Sequence, residues 1–292
     1  MDLGPIEGPL LLFGGPYSNL QATQAMRRET ERIGIPPSRV ICTGDIVAYC
    51  AEPDAVVREI RDWGVTVVMG NCEESLATDS PDCGCGFEDG TACSLLSDSW
   101  YRFSTQNTGD GHRNWMGELP RSVRFNLADH TFLVVHGAPS SINRFIFEST
   151  PAAEKTRELK RADTDVVIGG HCGIPFGQRV GEKFWLNSGA IGMPANDGSR
   201  DGWYLLLNPI DGGIRAGWQR LRYDWHRAQL AMRQAGLANG YADTLGTGLW
   251  PSMDVLPDDE RSRQGKALDP MPLMLPAGKG PGIDSGDLRN GT

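Results

Sequence analysis

Two short apolar segments, each ending abruptly in a polar signal, constrain the fold of this chain more than any other feature. They lie within residues 40–73, where Gly44-Asp45 follows the first segment and Gly70-Asn71 follows the second. A segment with helical periodicity separates them, as expected for a crossover between parallel strands. Ligands of open α/β sheets bind outside the carboxyl ends of such strands. We therefore predict an α/β fold in which a carboxylate and an amide meet at one sheet edge, in a metal or phosphate site.

The pattern of an apolar strand followed by polar residues recurs along the chain. A strand at 10–13 precedes a Gly-rich turn, and strands at 131–135 and 165–168 end near His136 and His171. One carboxylate, one amide oxygen and two imidazoles suit a borderline divalent ion such as Mn²⁺, Fe²⁺ or Zn²⁺. The predicted metal ligands are therefore Asp45, Asn71, His136 and His171. The other histidines (His112, His130 and His226) lack this strand-end context, and we interpret them as surface residues.

Composition limits the classes of function. The chain has 292 residues and a net charge of −9 that is spread along its length. This balance argues against broad nucleic-acid or anionic-membrane binding, although a metal site can still attract a small phosphorylated substrate. The longest apolar run near the start is too short for a membrane span or a signal peptide, so we expect a cytoplasmic protein. Seven cysteines, an odd number, are expected to be reduced, with metal binding or redox chemistry as alternatives.

The sequence predicts one main domain over residues 1–255. Within it, residues 1–8 are expected to be a loose leader, and residues 76–94 a Cys/Gly-rich insertion loop. Residues 256–292 are rich in Pro, Gly and Asp with little periodicity, so we expect a poorly structured C-terminal tail.

The order of the motifs resembles that of the calcineurin-like metallophosphoesterases, and most closely their small bacterial phosphodiesterase branch. Gly-Asp, Gly-Asn, His-Gly and Gly-His follow one another, and the similarity covers about 10–207, including Asn187-Ser188-Gly189. The resemblance implies a four-layer αββα sandwich of two mixed β-sheets flanked by helices. It also implies a metal-dependent hydrolase in which two metals, bridged by Asp45, activate a hydroxide that attacks the phosphorus of a phosphoester.

Three departures from the family's motifs concern one of these two metals. Gly15 and Tyr17 stand where the family has its first Asp-x-His pair, and Gly173 stands at the final histidine of its Gly-His-x-His motif. By the family's pattern, the three missing side chains belong to one metal, and the four predicted ligands complete the set for the other. We therefore expect one metal per chain, or a rebuilt second site.

Residues beside the ligands carry the remaining site predictions. Cys72 stands where many members have a histidine thought to protonate the leaving group, and Glu73 replaces the usual aspartate. Tyr17 is predicted to donate a hydrogen bond to a phosphoryl oxygen, or else to pack into the space of the missing metal. Asn19, at a helix N-terminus, would favour an anion, and Arg144 would grip a phosphate or form a salt bridge. The predicted catalytic residues are Asp45, Asn71, Cys72 and Tyr17.

The thiols leave a second question open. Cys72 and Cys172 each follow a predicted ligand, so both should lie near the metal. The insertion loop could fold over the site and offer further thiolates from Cys83, Cys85 and Cys93, although a C-x-C…C pattern is a weak metal signature. Structural packing, or a small structural metal, is the alternative to a role in the site for these three cysteines.

Two other classes of function compete with hydrolysis. One is an iron-dependent redox or oxygen-handling enzyme, because two histidines and one carboxylate resemble the facial arrangement that holds non-haem iron. The other is a non-catalytic ligand-sensing module on the same scaffold. The sequence does not identify the substrate or the oligomeric state, since Trp and Tyr residues of the C-terminal part suit a homodimer surface as well as a core.

Overall fold

Two β-sheets packed face to face form the centre of the protein, in a computed structural model that describes residues 1–86, 90–238 and 240–277. The strands are β1 (Asp2–Ile6), β2 (Leu10–Phe13), β3 (Val40–Cys42), β4 (Thr66–Val67), β5 (Ser122–Leu127), β6 (His130–Val135), β7 (Val166–Gly169), β8 (Phe176–Val180), β9 (Lys183–Asn187), β10 (Gly202–Ile210), β11 (Gly213–Leu221) and β12 (Leu273–Pro276). One sheet has the order β12-β11-β10-β2-β3-β4 and the other β1-β5-β6-β7-β9-β8. Both sheets mix parallel and antiparallel pairs.

Helices cover the outer faces of the sheets. They are α1 (Leu20–Arg32), α2 (Pro53–Trp63), α3 (Asn71–Ala77), α4 (Ala92–Gln106), α5 (Asp110–Gly117), α6 (Ala152–Ala162), α7 (Trp225–Gln234), α8 (Gly240–Thr247) and α9 (Asp258–Arg261). The strands β2, β3 and β4 pair in parallel, with α1 and α2 as the crossovers between them. The β-α-β-α-β segment predicted from the sequence is therefore confirmed.

The alternation of side chains along the strands explains the four layers. In β2, Leu10 and Leu12 point into the core between the sheets, where they join Phe132 and Val134 of the other sheet. Their neighbours Leu11 and Phe13 point the other way and pack in the core that contains residues of α1 and α2. Successive residues of a strand face opposite sides, so a strand that is buried on both faces is apolar throughout. The predicted αββα sandwich is confirmed.

Both ends of the described chain are more ordered than the sequence indicates. Residues 2–6 were expected to be part of a loose leader, but they form β1, which pairs in parallel with β5. The tail predicted over 256–292 contains α9 and β12 in its described part, and β12 pairs with β11 while Leu275 is fully buried. The prediction is therefore wrong for 256–277, because contacts with distant strands replace the missing local periodicity. Residues 278–292 lie outside the described residues.

The insertion over 76–94 is a shorter irregular segment than predicted. Helix α3 runs into its start and α4 begins within its last residues, while residues 87–89 lie outside the described part. Cys83 and Cys85 form a disulfide with their Cα atoms 5.3 Å apart, so the expectation of reduced thiols is wrong for this pair. In the part of the chain that the structure describes, no helix is both long and apolar enough to cross a membrane.

Candidate functional site

The four predicted metal ligands meet where strands of both sheets end. Asp45 and Asn71 follow β3 and β4, while His136 and His171 follow β6 and β7. The Nε2 atom of His136 lies 3.2 Å from Asp45 Oδ2, 3.0 Å from Asn71 Oδ1 and 3.0 Å from His171 Nδ1. Asp45, His136 and His171 offer ligand atoms that all lie within 4.8 Å of one another. The sequence thus correctly predicted that these four side chains meet.

Backbone turns of unusual conformation aim these side chains. Asp45 has a φ of 55°, His171 has 25° and Tyr17 has 51°. Non-glycine residues seldom adopt positive φ values, and where they do the surrounding structure must hold them. Position 44 has no room for a side chain, because a Cβ atom there would lie 2.8 Å from His136 Nδ1 and 2.9 Å from a backbone oxygen. The Gly-Asp turn is therefore built for close approach of the chain to the site.

His136 is held in one orientation and one tautomer. Its Nδ1 lies 2.7 Å from the carbonyl oxygen of Thr43, and a carbonyl only accepts, so Nδ1 carries the proton. That hydrogen bond aims Nε2 at the other ligand atoms, in the manner of histidine ligands whose second nitrogen is bound to the protein. Thr43 itself is held by Ser188, whose Oγ lies 3.1 Å from Thr43 Oγ1. Ser188 belongs to the Asn-Ser-Gly turn that the sequence placed near the site.

Asn71 is oriented by the cysteine loop. Its Nδ2 donates to the carbonyl oxygen of Cys83 at 2.9 Å and lies 3.3 Å from Cys85 Sγ. The amide nitrogen therefore faces the loop, and Oδ1 must face the cluster. Asn143 ties the same loop to the segment after His136 by donating to the carbonyl oxygen of Gly84 at 3.0 Å.

Glu73 fastens two of the motif turns to each other. Its fully buried carboxylate accepts hydrogen bonds from the backbone N–H groups of Asp45 at 2.8 Å, Gly70 at 2.9 Å and Val47 at 3.2 Å. Burial and then the Asp45 charge raise the pKa of Glu73 to about 7, while His136 and the backbone donors act in the opposite direction. From the sequence, Glu73 was recognised only as a substitute for the family's usual aspartate. Its position three residues after the helix N-cap is the signature of a capping box, which could have indicated its role.

The electrostatics of the cluster favour cation binding. Burial raises the pKa of Asp45, but His136 and His171 outweigh it and leave the value below the ordinary one. Burial and the neighbouring His136 lower the pKa of His171 to about 3, so its imidazole is neutral. The pKa of His136 is raised despite burial, because the Asp45 carboxylate stabilises its proton. An ionised carboxylate and neutral imidazoles are the forms that bind metals, so metal binding would compete with protonation of His136.

The donor set fits a divalent metal. A carboxylate oxygen, an amide oxygen and two imidazole nitrogens converge, each imidazole through one nitrogen. Without a cation, this arrangement packs several acceptors against one another in a buried place, which is costly. Mn²⁺, Fe²⁺ and Zn²⁺ all accept such mixed nitrogen and oxygen ligands.

Tyr17 occupies the place where the family would have a second set of ligands. A Cβ atom built on Gly15 would lie 2.4 Å from the Tyr17 ring, and one built on Gly173 would lie 3.4 Å from its hydroxyl oxygen. The phenol thus lies between the two positions that lost their ligands. Tyr17 is almost fully buried, and its ring contacts Tyr49 edge-on with centroids 4.8 Å apart. This contact favours the packing interpretation of Tyr17, while its position at the cavity leaves its hydroxyl available to a ligand.

A small cavity of about 60 Å³ opens onto this site. Asp45, His171 and Tyr17 line it, whereas Asn71, His136 and Cys72 do not. The rest of its wall includes Tyr49, Phe145, Met193, Pro194, Tyr241 and Trp250. The sequence analysis did not assign these wall residues to the site, because they come from five separate segments and carry no local motif.

The structure corrects several predictions about the cysteines. Cys72 is fully buried and does not line the cavity, so its thiol is not placed to protonate a leaving group; its backbone N–H lies 3.4 Å from Asp45 Oδ1 instead. Cys83 and Cys85 are paired in the disulfide and are not thiolates. Cys93 and Cys172 are free and buried, and both line the cavity with Cys85. Burial raises the pKa of Cys172 to about 12, so its thiol is protonated.

Neither predicted substrate-binding side chain faces the cavity. Asn19 is fully buried; its Oδ1 accepts from Ala22 N at 3.0 Å to cap α1, and its Nδ2 donates to the Gly192 oxygen at 2.9 Å. Arg144 forms salt bridges with Glu154 at 2.7 Å and Glu158 at 3.3 Å. The salt-bridge alternative for Arg144 is confirmed, and Asn19 caps α1, so both side chains are committed to structural contacts rather than turned to a ligand.

Comparison with known proteins places the chain in a family. The model of the calcineurin-like phosphoesterase superfamily domain matches residues 18–209. An uncharacterized protein of Methanocaldococcus jannaschii is 25% identical over 239 residues, which cover 76% of this chain and 91% of that protein.

Two solved structures support the same fold. A metallophosphoesterase from Sphaerobacter thermophilus has a TM-score of 0.65 and 22% identity, with 84% of this chain and 100% of that one covered. A hypothetical protein from Pyrococcus horikoshii has a TM-score of 0.70 and 15% identity, with 85% of this chain and 99% of the other covered. The chain belongs to the calcineurin-like phosphoesterase superfamily, as its motif order predicted.

Proposed function

We propose that this member of the superfamily hydrolyses a phosphoester with one divalent metal held by Asp45, Asn71, His136 and His171. The observation that carries the proposal is the convergence of the other three ligand atoms on His136 Nε2, all within 3.2 Å of it. The one-metal stoichiometry rests on Tyr17, whose ring lies between Gly15 and Gly173. When bound, such a metal supplies a water of lowered pKa and polarises a phosphoryl oxygen.

The chain's own residues supply orientation and exclusion of bulk water. Thr43 holds the His136 ring, the Cys83 carbonyl oxygen holds the Asn71 amide, and Glu73 holds the Gly-Asp and Gly-Asn turns together. Tyr17 brings a phenol to the cavity wall, and burial, with Asp45 next, raises its pKa well above the ordinary value. The phenol therefore stays protonated and is able to donate a hydrogen bond to a phosphoryl oxygen.

The experiment that tests this proposal measures metal content and turnover together. Protein purified without added metal is analysed for elements and assayed with bis(p-nitrophenyl) phosphate and p-nitrophenyl phosphate, with Mn²⁺, Fe²⁺ or Zn²⁺ added in turn. We expect one metal per chain and metal-dependent turnover, both lost in His171→Ala. His226→Ala, an exposed histidine of α7, is the matched control and should retain both. Protein that holds no divalent metal and gains no turnover from any of the three ions would contradict the proposal.

A second candidate function follows from the sulfur atoms at the cavity. The free cysteines Cys93 and Cys172 line the same cavity as Asp45 and His171, and sulfur beside histidine and carboxylate favours iron-dependent redox chemistry. Elemental analysis separates the two proposals. Iron that departs in a Cys83/Cys85/Cys93→Ser variant would support the redox function, whereas a metal indifferent to these cysteines supports the hydrolase.

A further inference from the structure

The wall of the cavity carries no basic side chain. Within residues 1–86, 90–238 and 240–277, its lining comprises tyrosine, phenylalanine, tryptophan, methionine, proline, alanine, valine, glycine, serine, threonine and cysteine besides Asp45 and His171. Phosphate groups are usually recognised by arginine, lysine or clusters of backbone N–H donors. This wall therefore offers an anionic ligand little beyond the metal itself.

Basic side chains near the site are engaged elsewhere. Arg144 follows the His-Gly motif but pairs with Glu154 and Glu158. Lys155 is fully buried, where it donates to the Glu148 carbonyl oxygen at 2.7 Å and to Gln178 Oε1 at 2.6 Å. Neither residue lines the cavity.

The charges at the site can be counted. A divalent ion on Asp45, Asn71 and two neutral histidines carries a net charge of +1, because Asp45 is the only anionic ligand. The buried Glu73 carboxylate, which accepts from the Asp45 backbone N–H at 2.8 Å, lowers this sum further when it is ionised. A dianionic ligand therefore leaves more net negative charge beside apolar walls than a monoanionic one does. The cost of desolvation grows with the square of a ligand's charge, whereas its attraction to the metal grows only linearly. An apolar cavity with one metal therefore disfavours the second negative charge.

We infer that the site selects monoanionic phosphodiesters over dianionic phosphomonoesters, and that a cover of uncharged lining side chains from the segment 241–255, among them Tyr241, Trp250 and Val255, sets this selectivity. The inference rests on the proposed function, because it assumes the metal on the four ligands. The apolar wall offers a favourable environment to the apolar ester group of a phosphodiester. It offers none to the second anionic oxygen that a phosphomonoester carries in its place.

The cover lies beyond the residues that the family model matches. The family model ends at residue 209, whereas Tyr241, Thr244, Trp250 and Val255 line the cavity from beyond it. Trp250 is fixed there, because its Nε1 donates to the Pro194 oxygen at 2.7 Å and its backbone N–H to Asn196 Oδ1 at 2.8 Å. A rigid apolar cover of this kind suits discrimination between ligands that differ by a single charge.

The test compares two ligands that differ by one methyl group. Dimethyl phosphate is a monoanion, while methyl phosphate is mainly a dianion above its second pKa of about 6. Binding of each to Mn²⁺-loaded protein is measured by calorimetry at mildly alkaline pH, independently of turnover. We expect dimethyl phosphate to bind at least about tenfold more tightly, a difference of about 1.4 kcal/mol.

Variants at the rim test whether the cover sets the selectivity. Val255 is half-buried and lines the cavity, so Val255→Lys can place an ammonium at the mouth, and Val255→Met is the uncharged control of similar length. Val255→Lys should narrow or reverse the preference, while Val255→Met should keep it. Ser252→Lys with Ser252→Gln repeats the comparison at a second half-buried lining position, in case the first variant does not fold.

The outcomes separate the two proposals. Tighter binding of methyl phosphate by the wild type, or lysine variants that bind both ligands as their controls do, would overturn the charge selectivity, even if phosphoester turnover supports the hydrolase. A preference for dimethyl phosphate without any turnover would support the selectivity and contradict the hydrolase. Failure of both ligands to bind to the metal-loaded protein would overturn the inference.

Discussion

Replacement of Glu73 by glutamine should weaken both the fold and the metal site, although it changes only one atom. The carboxylate accepts three backbone hydrogen bonds, two of them through Oε2, from Asp45 and Gly70. A glutamine can keep those two bonds with its single amide oxygen. Its NH₂ group must then face the N–H of Val47, which loses its acceptor.

The magnitude follows from these contacts. Two charge-assisted bonds become neutral ones, and one buried donor is left without a partner, which together cost about 2–4 kcal/mol of unfolding free energy. Because Glu73 holds the turn of Asp45, divalent metal affinity should also fall by about 10–100-fold, as for other residues that orient metal ligands.

Urea unfolding followed by circular dichroism and metal titration by calorimetry measure the two effects. Glu74→Gln is the matched control, since Glu74 is the next residue, is partly exposed and pairs with Arg121 at the surface. Its change in stability should stay within about 0.5 kcal/mol. A Glu73→Gln protein with the urea midpoint and metal affinity of the Glu74→Gln protein would refute the assigned role of the carboxylate.

Three further predictions concern the packing around the site, the metal and a buried lysine. Tyr17→Ala should lower the free energy of unfolding by about 3–5 kcal/mol, because the Tyr17 ring fills the space beside Gly15. Tyr17→Phe keeps the ring and should lower it by less than about 1.5 kcal/mol. Urea unfolding of both variants tests this prediction, and equal losses of stability would contradict it. Chelation of the metal should lower the stability of wild-type protein by about 2.7 kcal/mol if free metal was at 100 times its Kd, but should leave Asp45→Ala unchanged; denaturation with and without EDTA measures the difference. Burial lowers the pKa of Lys155 from 10.5 to about 8, although the charge of Glu148 opposes the shift. Between these two pH values the unfolded chain binds a proton that the native state has released, so the free energy of unfolding should rise with pH across that interval. Lys155→Met should not show this rise. A parallel pH dependence of the two proteins in urea unfolding would exclude this assignment.

Much of the site could be predicted because strand ends are marked locally. Asp45, Asn71, His136 and His171 each follow a short apolar strand, and parallel strands bring their carboxyl ends to one edge. The short apolar strand before each ligand and the polar residues after it therefore sufficed to predict which side chains would meet. The layers of the fold followed from the same signals, because strands apolar throughout require cover on both faces.

What the sequence did not reveal depends on contacts between distant segments. Asn19 looked free to bind an anion, but its amide donates to the Gly192 oxygen, 173 residues away. Strand β1 contains Gly4 and Pro5, which hide a strand signal, yet proline is tolerated at the edge position that β1 occupies. Cys83 and Cys85 were likewise expected to be reduced, because a chain of this size needs no disulfide for stability. They form a disulfide because the loop brings their Cα atoms to 5.3 Å.

The short strand β12 has a consequence for how copies of this chain behave in solution. It pairs with β11 through Ala216 to Gly213, and its Pro276 oxygen lies 2.8 Å from Nε2 of His130 on the opposite sheet. A chain cut before Leu273 would leave that side of β11 as an open edge with unpaired backbone groups. It would also expose the part of the core between the two sheets that Leu275 covers. Open edges of this kind recruit strands from neighbouring molecules. With β12 present, the edge of the sheet is a four-residue strand that ends in Pro276 instead of the nine-residue β11. Short edge strands with proline pair poorly with other chains, so we expect β12 to limit self-association, a task that lies far from the chemistry of the metal site.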